Sequence, residues 1–312
     1  MPGGCGVLRV SASTGHGQRV ILLTGASGQV GFELARSLQG LGHVIPVDRN
    51  RLDLADLDQV RRVVREVKPD LIVNPAAHTA VDAAETDVDA AMRINAEAPG
   101  VFAEEVARIG AKLVHYSTDY VFDGAKSGKY AEDDRVNPLN VYGRSKLAGE
   151  QAIAAAGCGH LVFRTSWVYG LRGKNFLLTM LKLAAERDEL RVVADQLGAP
   201  TWSATIAALS AHVLAQAVAG GGRGWDAWWE RHQGIYHLTA GGETSWHGFA
   251  EAIVEMAGLA KLPRVEPIAA SAYPTPAARP GNSCLSNDRL ANVFGVRAPH
   301  WRDALGQCLA ER

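Results

Sequence analysis

The chain has 312 residues, of which 47% are hydrophobic and 21% charged, and its net charge is close to −1. That balance suits a globular protein with a substantial core. It excludes a partner held by phosphate neutralisation, so no nucleic acid is expected, and it offers no pull toward an anionic membrane surface. No apolar run approaches the roughly 20 residues that a membrane helix needs. Cys5, Cys158, Cys284 and Cys308 are scattered, without a paired spacing or a histidine cluster beside them. They read as reduced thiols of a cytoplasmic protein, and no metal site is expected. Residues 1–18, rich in Gly and Ser, read as a flexible extension with no secretory core.

From Arg19 the pattern becomes regular. Arg19 to Thr24 is a short apolar strand that runs into Gly25-Ala26-Ser27-Gly28-Gln29-Val30-Gly31 and an amphipathic helix to about Gln39. A second strand, His43 to Val47, ends at Asp48-Arg49. A helix follows with Leu57, Val60, Val63, Val64 and Val67 on one face, stopped by Pro69. Leu71-Ile72-Val73 is a third strand, Asp87 to Arg108 a long helix, Lys112 to Tyr116 a fourth strand and Leu161 to Arg164 a fifth. Strand and helix alternate, which predicts βαβ units and a parallel sheet, an α/β fold. Beyond Thr165 the pattern loosens. Helices are predicted at Asn175–Glu186 and Ala204–Ala219, with a strand at Leu190–Val193 between them. Trp225, Trp228 and Trp229 follow the run Gly220-Gly221-Gly222; they read as an insertion folding its rings onto the body rather than as a binding patch. From Tyr236 the chain reads as mixed helix and loop.

Four stretches carry chemistry. Gly25, Gly28 and Gly31 sit where strand one turns into helix one. There they permit the tight turn, the approach of backbone amides to a pyrophosphate, and close helix–strand packing, with Gln29 and Val30 between them. Asp48 at the end of strand two suits ribose hydroxyls and so NAD; Arg49 beside it suits the 2′-phosphate of NADP, and both stay open. Asp53-Leu54 falls where an adenine is met, although Asp53 equally suits a helix cap. Strand four ends in Ser117-Thr118-Asp119, at the sheet end where ligands bind, and a hydroxyl there can hold a carbonyl oxygen. Finally, Asn140 caps a helix carrying Tyr142 and Lys146 four residues apart, on one face. A nearby ammonium favours phenolate, so the Tyr142 phenol is expected to fall from about 10 toward neutrality. Glu150 is expected to pair with Lys146 one turn on.

Together these residues resemble the extended short-chain dehydrogenase/reductases and, among them, the dTDP-4-dehydrorhamnose reductase family. The likeness runs from about Val20 to Trp301. It rests on Gly28-Gln29-Val30-Gly31, Asn74 to Asp82, His115 to Phe122, Pro138 to Gly143, Phe163 to Tyr169, Asp195 to Thr201 and Ala272 to Pro280. It implies a Rossmann-type doubly wound parallel sheet, with an NAD(P)-binding domain over 19–170 to which later segments return. A smaller mixed α/β lobe over 171–312 would mainly bind the sugar nucleotide. The activity implied is NADPH- or NADH-dependent reduction of the C4 keto group of dTDP-4-dehydrorhamnose, by a monomer or homodimer. Tyr142 would donate the proton, assisted by Lys146 and Thr118. Gly28, Gln29, Val30, Asp48, Asp53, Leu54, Ala77, His78 and Thr79 would contact the cofactor. Thr118, Asp119, Trp167 and Arg279 would contact the sugar nucleotide, Arg279 at its diphosphate. Some members hold magnesium between subunits, but only Glu33 matches a ligand position. The same likeness extends to sugar-nucleotide epimerases and dehydratases, which need a further acid/base pair. It extends also to the non-catalytic regulatory subunit of methionine adenosyltransferase, and the motif in the last third favours catalysis over that reading.

Overall fold

A computed structural model describes residues 18–312, apart from Ala260 and the side chain of Arg223. The expected N-terminal extension lies, but for Gln18, outside the described residues. Among the described residues, six strands pair in parallel in one sheet. They are β1 (Val20–Leu23), β2 (His43–Pro46), β3 (Leu71–Asn74), β4 (Lys112–Thr118), β5 (His160–Thr165) and an edge strand, Gly234–His237. Across the sheet the order is Gly234–His237, β5, β4, β3, β1, β2. The chain direction of travel reverses between β1 and β3, so a crevice opens beyond their carboxyl ends.

Successive side chains of a strand point to opposite faces, and both faces are covered. Ile21 and Leu23 join Val73, Val114 and Phe163 under helix α1 (Gln29–Ser37) and the Ser203–Ala219 helix. Leu22 joins Ile72, Leu113 and Val162 under α2 (Leu57–Val67) and the Ala98–Ile109 helix. A separate core is built from Leu177, Phe249 and Trp301 on the later helices Phe176–Glu186, Trp246–Met256 and Trp301–Ala310, with Tyr169 and Trp202 from the paired short strands Val168–Tyr169 and Thr201–Trp202. A two-stranded sheet, Glu189–Val193 beside Arg264–Ile268, lies with it. Leu290 and Phe294 return to the first core, as do the Ser203–Ala219 helix and the edge strand.

Several expectations change in detail. The helix over 87–108 is broken by a π-turn, Arg93–Glu97, between Val88–Met92 and Ala98–Ile109. Gly149 lies against it: a Cβ there would stand 2.2 Å from the Asn95 carbonyl oxygen, so only glycine admits this approach. β4 runs on to Thr118, because Ser117 and Thr118 continue the pairing with Arg164 and Thr165. The tryptophan segment is a helix, Gly221–His232, and Trp225 and Trp229 are buried in the first core with the Arg19 guanidinium 3.8 Å over the Trp225 ring. Tyr236 opens no loop; it lies in the edge strand.

Candidate active site

Beyond the carboxyl ends of β1, β3 and β4 lies a cleft of about 670 Å³. Its floor begins at the glycine turn. Gly25 has φ +57°, a conformation that glycine adopts without penalty, and its α-carbon faces Ala76 closely enough that a Cβ would meet it at 3.0 Å. A Cβ on Gly31 would stand 2.1 Å from the Gly25 carbonyl oxygen, so helix and turn can pack this tightly only without one. Gly28 is the N-cap of α1 and supplies no side chain, leaving the first-turn amides uncapped at the cleft. Such amides, at the positive end of a helix, suit a pyrophosphate, and the turn fits a dinucleotide cofactor on this ground. Gln29 and Val30 line the same floor, with Arg49, Asp53, Leu54, Ala77, His78 and Thr79 along the walls. Asp48 does not line the cleft. Its Oδ1 accepts the amides of Asn50 and Arg51 at 3.0 and 3.3 Å, so it holds its own turn. Asp53 accepts the Ala55 amide and lies 3.8 Å from Arg49. The cap of α2 is Asp56.

Thr118, Tyr142 and Lys146 all face this cleft. Tyr142 and Lys146 stand on the Val141–Ala155 helix, capped as expected by Asn140, whose Oδ1 accepts the Gly143 amide at 2.8 Å. Gly143 lets the helix press on the turn after β4: a Cβ would stand 2.2 Å from the Tyr120 carbonyl oxygen. The electrostatics differ from the expectation in two respects. Burial pushes the Tyr142 phenol up to about 12, with the Thr118 hydroxyl pulling it down and the Asp119 charge adding to the rise. Lys146 does not lower it: burial brings Lys146 down to about 7, so it is an uncharged amine where the phenol titrates, and its Nζ lies on the Tyr116 carbonyl at 2.6 Å and His115 Nε2 at 3.0 Å. Nor does Lys146 form the expected ion pair with Glu150, which instead takes the Arg164 fork at 3.0 and 2.7 Å. Glu150 still raises Lys146 from a distance, but burial dominates and brings it down to about 7. Tyr142 is thus kept protonated at neutral pH, which suits a proton donor.

On the far wall are Asp119, Trp167 and Trp246. Asp119 accepts a hydrogen bond from Thr118 at 2.9 Å; burial pushes its carboxyl up to about 6, against the pull of the Ser283 and Thr118 hydroxyls, and its Oδ2 has no close hydrogen-bond partner among the described residues. Trp167 has φ +47°, strained for a bulky residue. Its ring stacks on Trp246 with centroids 3.5 Å apart, and Gly198 lies so close that a Cβ would meet the indole at 2.5 Å. Arg279 is not among the residues lining the cleft; it gives its guanidinium to Asp82 at 2.8 and 3.1 Å. The strap around it is tied to the Tyr142 helix by Asn140, which donates to the Ala278 carbonyl.

The sequence reading missed several contributors. Trp246 had no motif to mark it. Asn95 sits in the π-turn and bonds both the His78 amide and carbonyl and the Ser145 hydroxyl, so it ties the cofactor wall to the Tyr142 helix. Asn74 and His115 lie within the stretches that carry the likeness, but Asn74 had no role read for it and His115 read only as part of the fourth strand.

A parallel sheet with this glycine turn, and a Thr/Tyr/Lys set beside it, defines a protein of the extended short-chain dehydrogenase/reductase class. Residues 19–312 match the family model described as the RmlD substrate binding domain. The chain is 53% identical over 297 residues to a dTDP-4-dehydrorhamnose reductase of Burkholderia thailandensis, covering 93% of this chain and 98% of that one. It is 42% identical over 299 residues to that of Escherichia coli K12, covering 93% and 97%. A solved dTDP-4-dehydrorhamnose reductase of Bacillus anthracis, in complex with NADP, superposes with a TM-score of 0.85 at 36% identity, over 95% of this chain and 100% of that one. The chain belongs to the family of dTDP-4-dehydrorhamnose reductases.

Proposed function

We propose that this protein reduces the C4 keto group of dTDP-4-dehydro-β-L-rhamnose to give dTDP-L-rhamnose, using NADPH or NADH. The observation that carries the chemistry is a half-buried Tyr142 phenol, held protonated beside the Thr118 hydroxyl in the glycine-turn cleft. The bound nicotinamide supplies the hydride that C4 receives. As C4 becomes tetrahedral its oxygen gains charge; Tyr142 gives that oxygen its proton, and Thr118 holds the oxygen in place. Lys146, as ammonium, favours the phenolate left behind. The amides of Gln29, Val30 and Gly31 hold the pyrophosphate, and His78 and Thr79 wall the nicotinamide side. Arg49 faces the cleft where Asp48 does not, which favours NADPH. Trp167 and Asp119 meet the sugar nucleotide. Residues 19–170 with the returning segments form the cofactor domain, and the remainder mainly the sugar-nucleotide lobe. No helix of the described residues is long and apolar enough to cross a membrane, in keeping with a cytoplasmic site of action.

Turnover of the sugar nucleotide, followed by NAD(P)H absorbance and product analysis, tests this. Stoichiometric oxidation of the cofactor with appearance of dTDP-L-rhamnose is expected. Isomerisation without net oxidation would assign the chain to epimerases, and binding without turnover to a regulatory role.

A further inference from the structure

Behind the cleft, four polar side chains touch in a row. Thr24 follows β1, Asn74 ends β3, His115 lies within β4, and Lys146 stands on the Tyr142 helix; none is more than 1% exposed. Thr24 Oγ1 donates to Asn74 Oδ1 at 2.6 Å, and Asn74 Nδ2 meets His115 Nδ1 at 3.2 Å. His115 Nε2 then meets Lys146 Nζ at 3.0 Å, while Nζ donates to the Tyr116 carbonyl at 2.6 Å.

The donor inventory constrains this row. Burial and the neighbouring Lys146 hold His115 well below the ordinary histidine range, so its ring is neutral and carries one proton. An amide NH₂ on Nδ1 puts that proton on Nε2, and Nε2–H can be accepted only by an uncharged Lys146 amine. An ammonium at Lys146 demands the opposite. Nε2 must then accept, Nδ1–H must donate to the Asn74 oxygen, and the turned Asn74 amide must donate to Thr24. We propose that His115 is a positioning residue that links the charge of Lys146 to the amide orientation of Asn74, so that the whole row reverses direction when Lys146 gains or loses its proton. Through it Lys146 changes charge without leaving the Tyr116 carbonyl. The proposal rests on the reductase reading only for its use, since the ammonium is the form that favours the Tyr142 phenolate.

The groups that face Lys146 leave both states within reach. Glu150 acts on it from its own helix and His115 meets it from β4, while Tyr142 and Asp119 line the same cleft. Arg164 on β5 is taken up by Glu150. Burial against the Glu150 charge places Lys146 at about 7.

The test is an NMR titration of the cofactor-free protein, so failure of the reductase reading would leave its result standing. With ¹⁵N-labelled histidine, the His115 ring is expected to move its proton from Nδ1 to Nε2 as pH rises through the Lys146 midpoint, read from ¹³C-labelled lysine and assigned by its loss in Lys146→Met. A ring that keeps one tautomer across that midpoint overturns the proposal. Asn74→Asp, which as a carboxylate can only accept, selects Nδ1–H and should raise the Lys146 midpoint by about one unit or more. In a His115→Phe background the same substitution should shift it by less than half as much. An equal shift in both backgrounds means that the new charge acts through space, and overturns the row. No shift in Asn74→Asp alone overturns it as well, whether or not the Phe variant folds.

Discussion

Glu150→Gln probes the support of the Tyr142 helix. The Glu150 and Arg164 side chains are 2% and 3% exposed and joined by two hydrogen bonds of 3.0 and 2.7 Å. Glutamine keeps the shape but strips Arg164 of its counter-charge, leaving the guanidinium near the Glu132 carbonyl at 3.4 Å and the Phe122 ring at 5.1 Å. Removing one partner of a buried pair costs about 3–5 kcal/mol. With an unfolding entropy of about 2.1 cal/mol/K per residue, each kcal/mol moves the unfolding midpoint of a chain this long by about 1.5 °C, so Tm should fall by about 5–8 °C. Replacing both partners, as Glu150→Leu with Arg164→Met, removes the stranded charge as well and should recover much of that loss. Thermal and urea unfolding of the three proteins at neutral pH supplies the comparison. Because Glu150 also raises Lys146, its loss should carry the Lys146 midpoint below about 7. A single-variant loss under about 1 kcal/mol, the value of an exposed pair, would refute the reasoning. So would a double variant no more stable than the single.

Gly31→Ala places a methyl 2.1 Å from the Gly25 carbonyl oxygen, where neither backbone can yield without opening the pyrophosphate turn. Overpacking of this kind costs about 1–3 kcal/mol, and NADPH affinity measured by fluorescence titration should fall roughly tenfold or more; unchanged affinity would exclude that turn as the cofactor's seat. Lys146→Met should stabilise the protein in a pH-dependent way. Folding depresses Lys146 from 10.5 to about 7, so the buried ammonium is a full penalty below about 7, relieved as pH rises toward 10.5. The gain from Lys146→Met should therefore be largest below pH 7 and fade above it. Unfolding free energies across that range check it, and a gain that grows with pH would contradict the assignment.

The strands and the glycine turn were legible because each rests on local pattern. The fully buried β3, Leu71–Asn74, opens on the apolar run Leu71-Ile72-Val73, and Gly25 at φ +57° is a position that the turn itself demands. Asn140 and Asn175 cap their helices as their chemistry predicts. The bringing together of Thr118, Tyr142 and Lys146 followed from helix spacing and from where strand ends lie. What stayed hidden depends on partners far apart in sequence. The spacing of Glu150 and Lys146 suggested a pair, but Arg164, 14 residues beyond Glu150 and on the adjacent strand β5, offers a planar fork in a buried place where an ammonium could make fewer bonds. The Tyr142 phenol was expected to fall because helix spacing gives its distance from Lys146 but not its burial, and burial wins. Arg279 carries a fork suited to phosphate; only the fold brings Asp82, nearly two hundred residues earlier, within 2.8 Å of it. The π-turn at Arg93–Glu97 left no mark that a helical period could report.

The role given to Tyr142 is the centre of this account, and Tyr142→Phe tests it most directly. The phenyl ring keeps the packing against Tyr120, whose ring centroid is 5.5 Å away, and removes only the hydroxyl. Turnover of dTDP-4-dehydro-β-L-rhamnose with NADPH should fall by roughly two or more orders of magnitude, as for loss of a general acid, while NADPH affinity and Tm stay near those of the unaltered protein. Turnover within a few-fold of the unaltered protein would take the proton donor away from Tyr142 and contradict the mechanism.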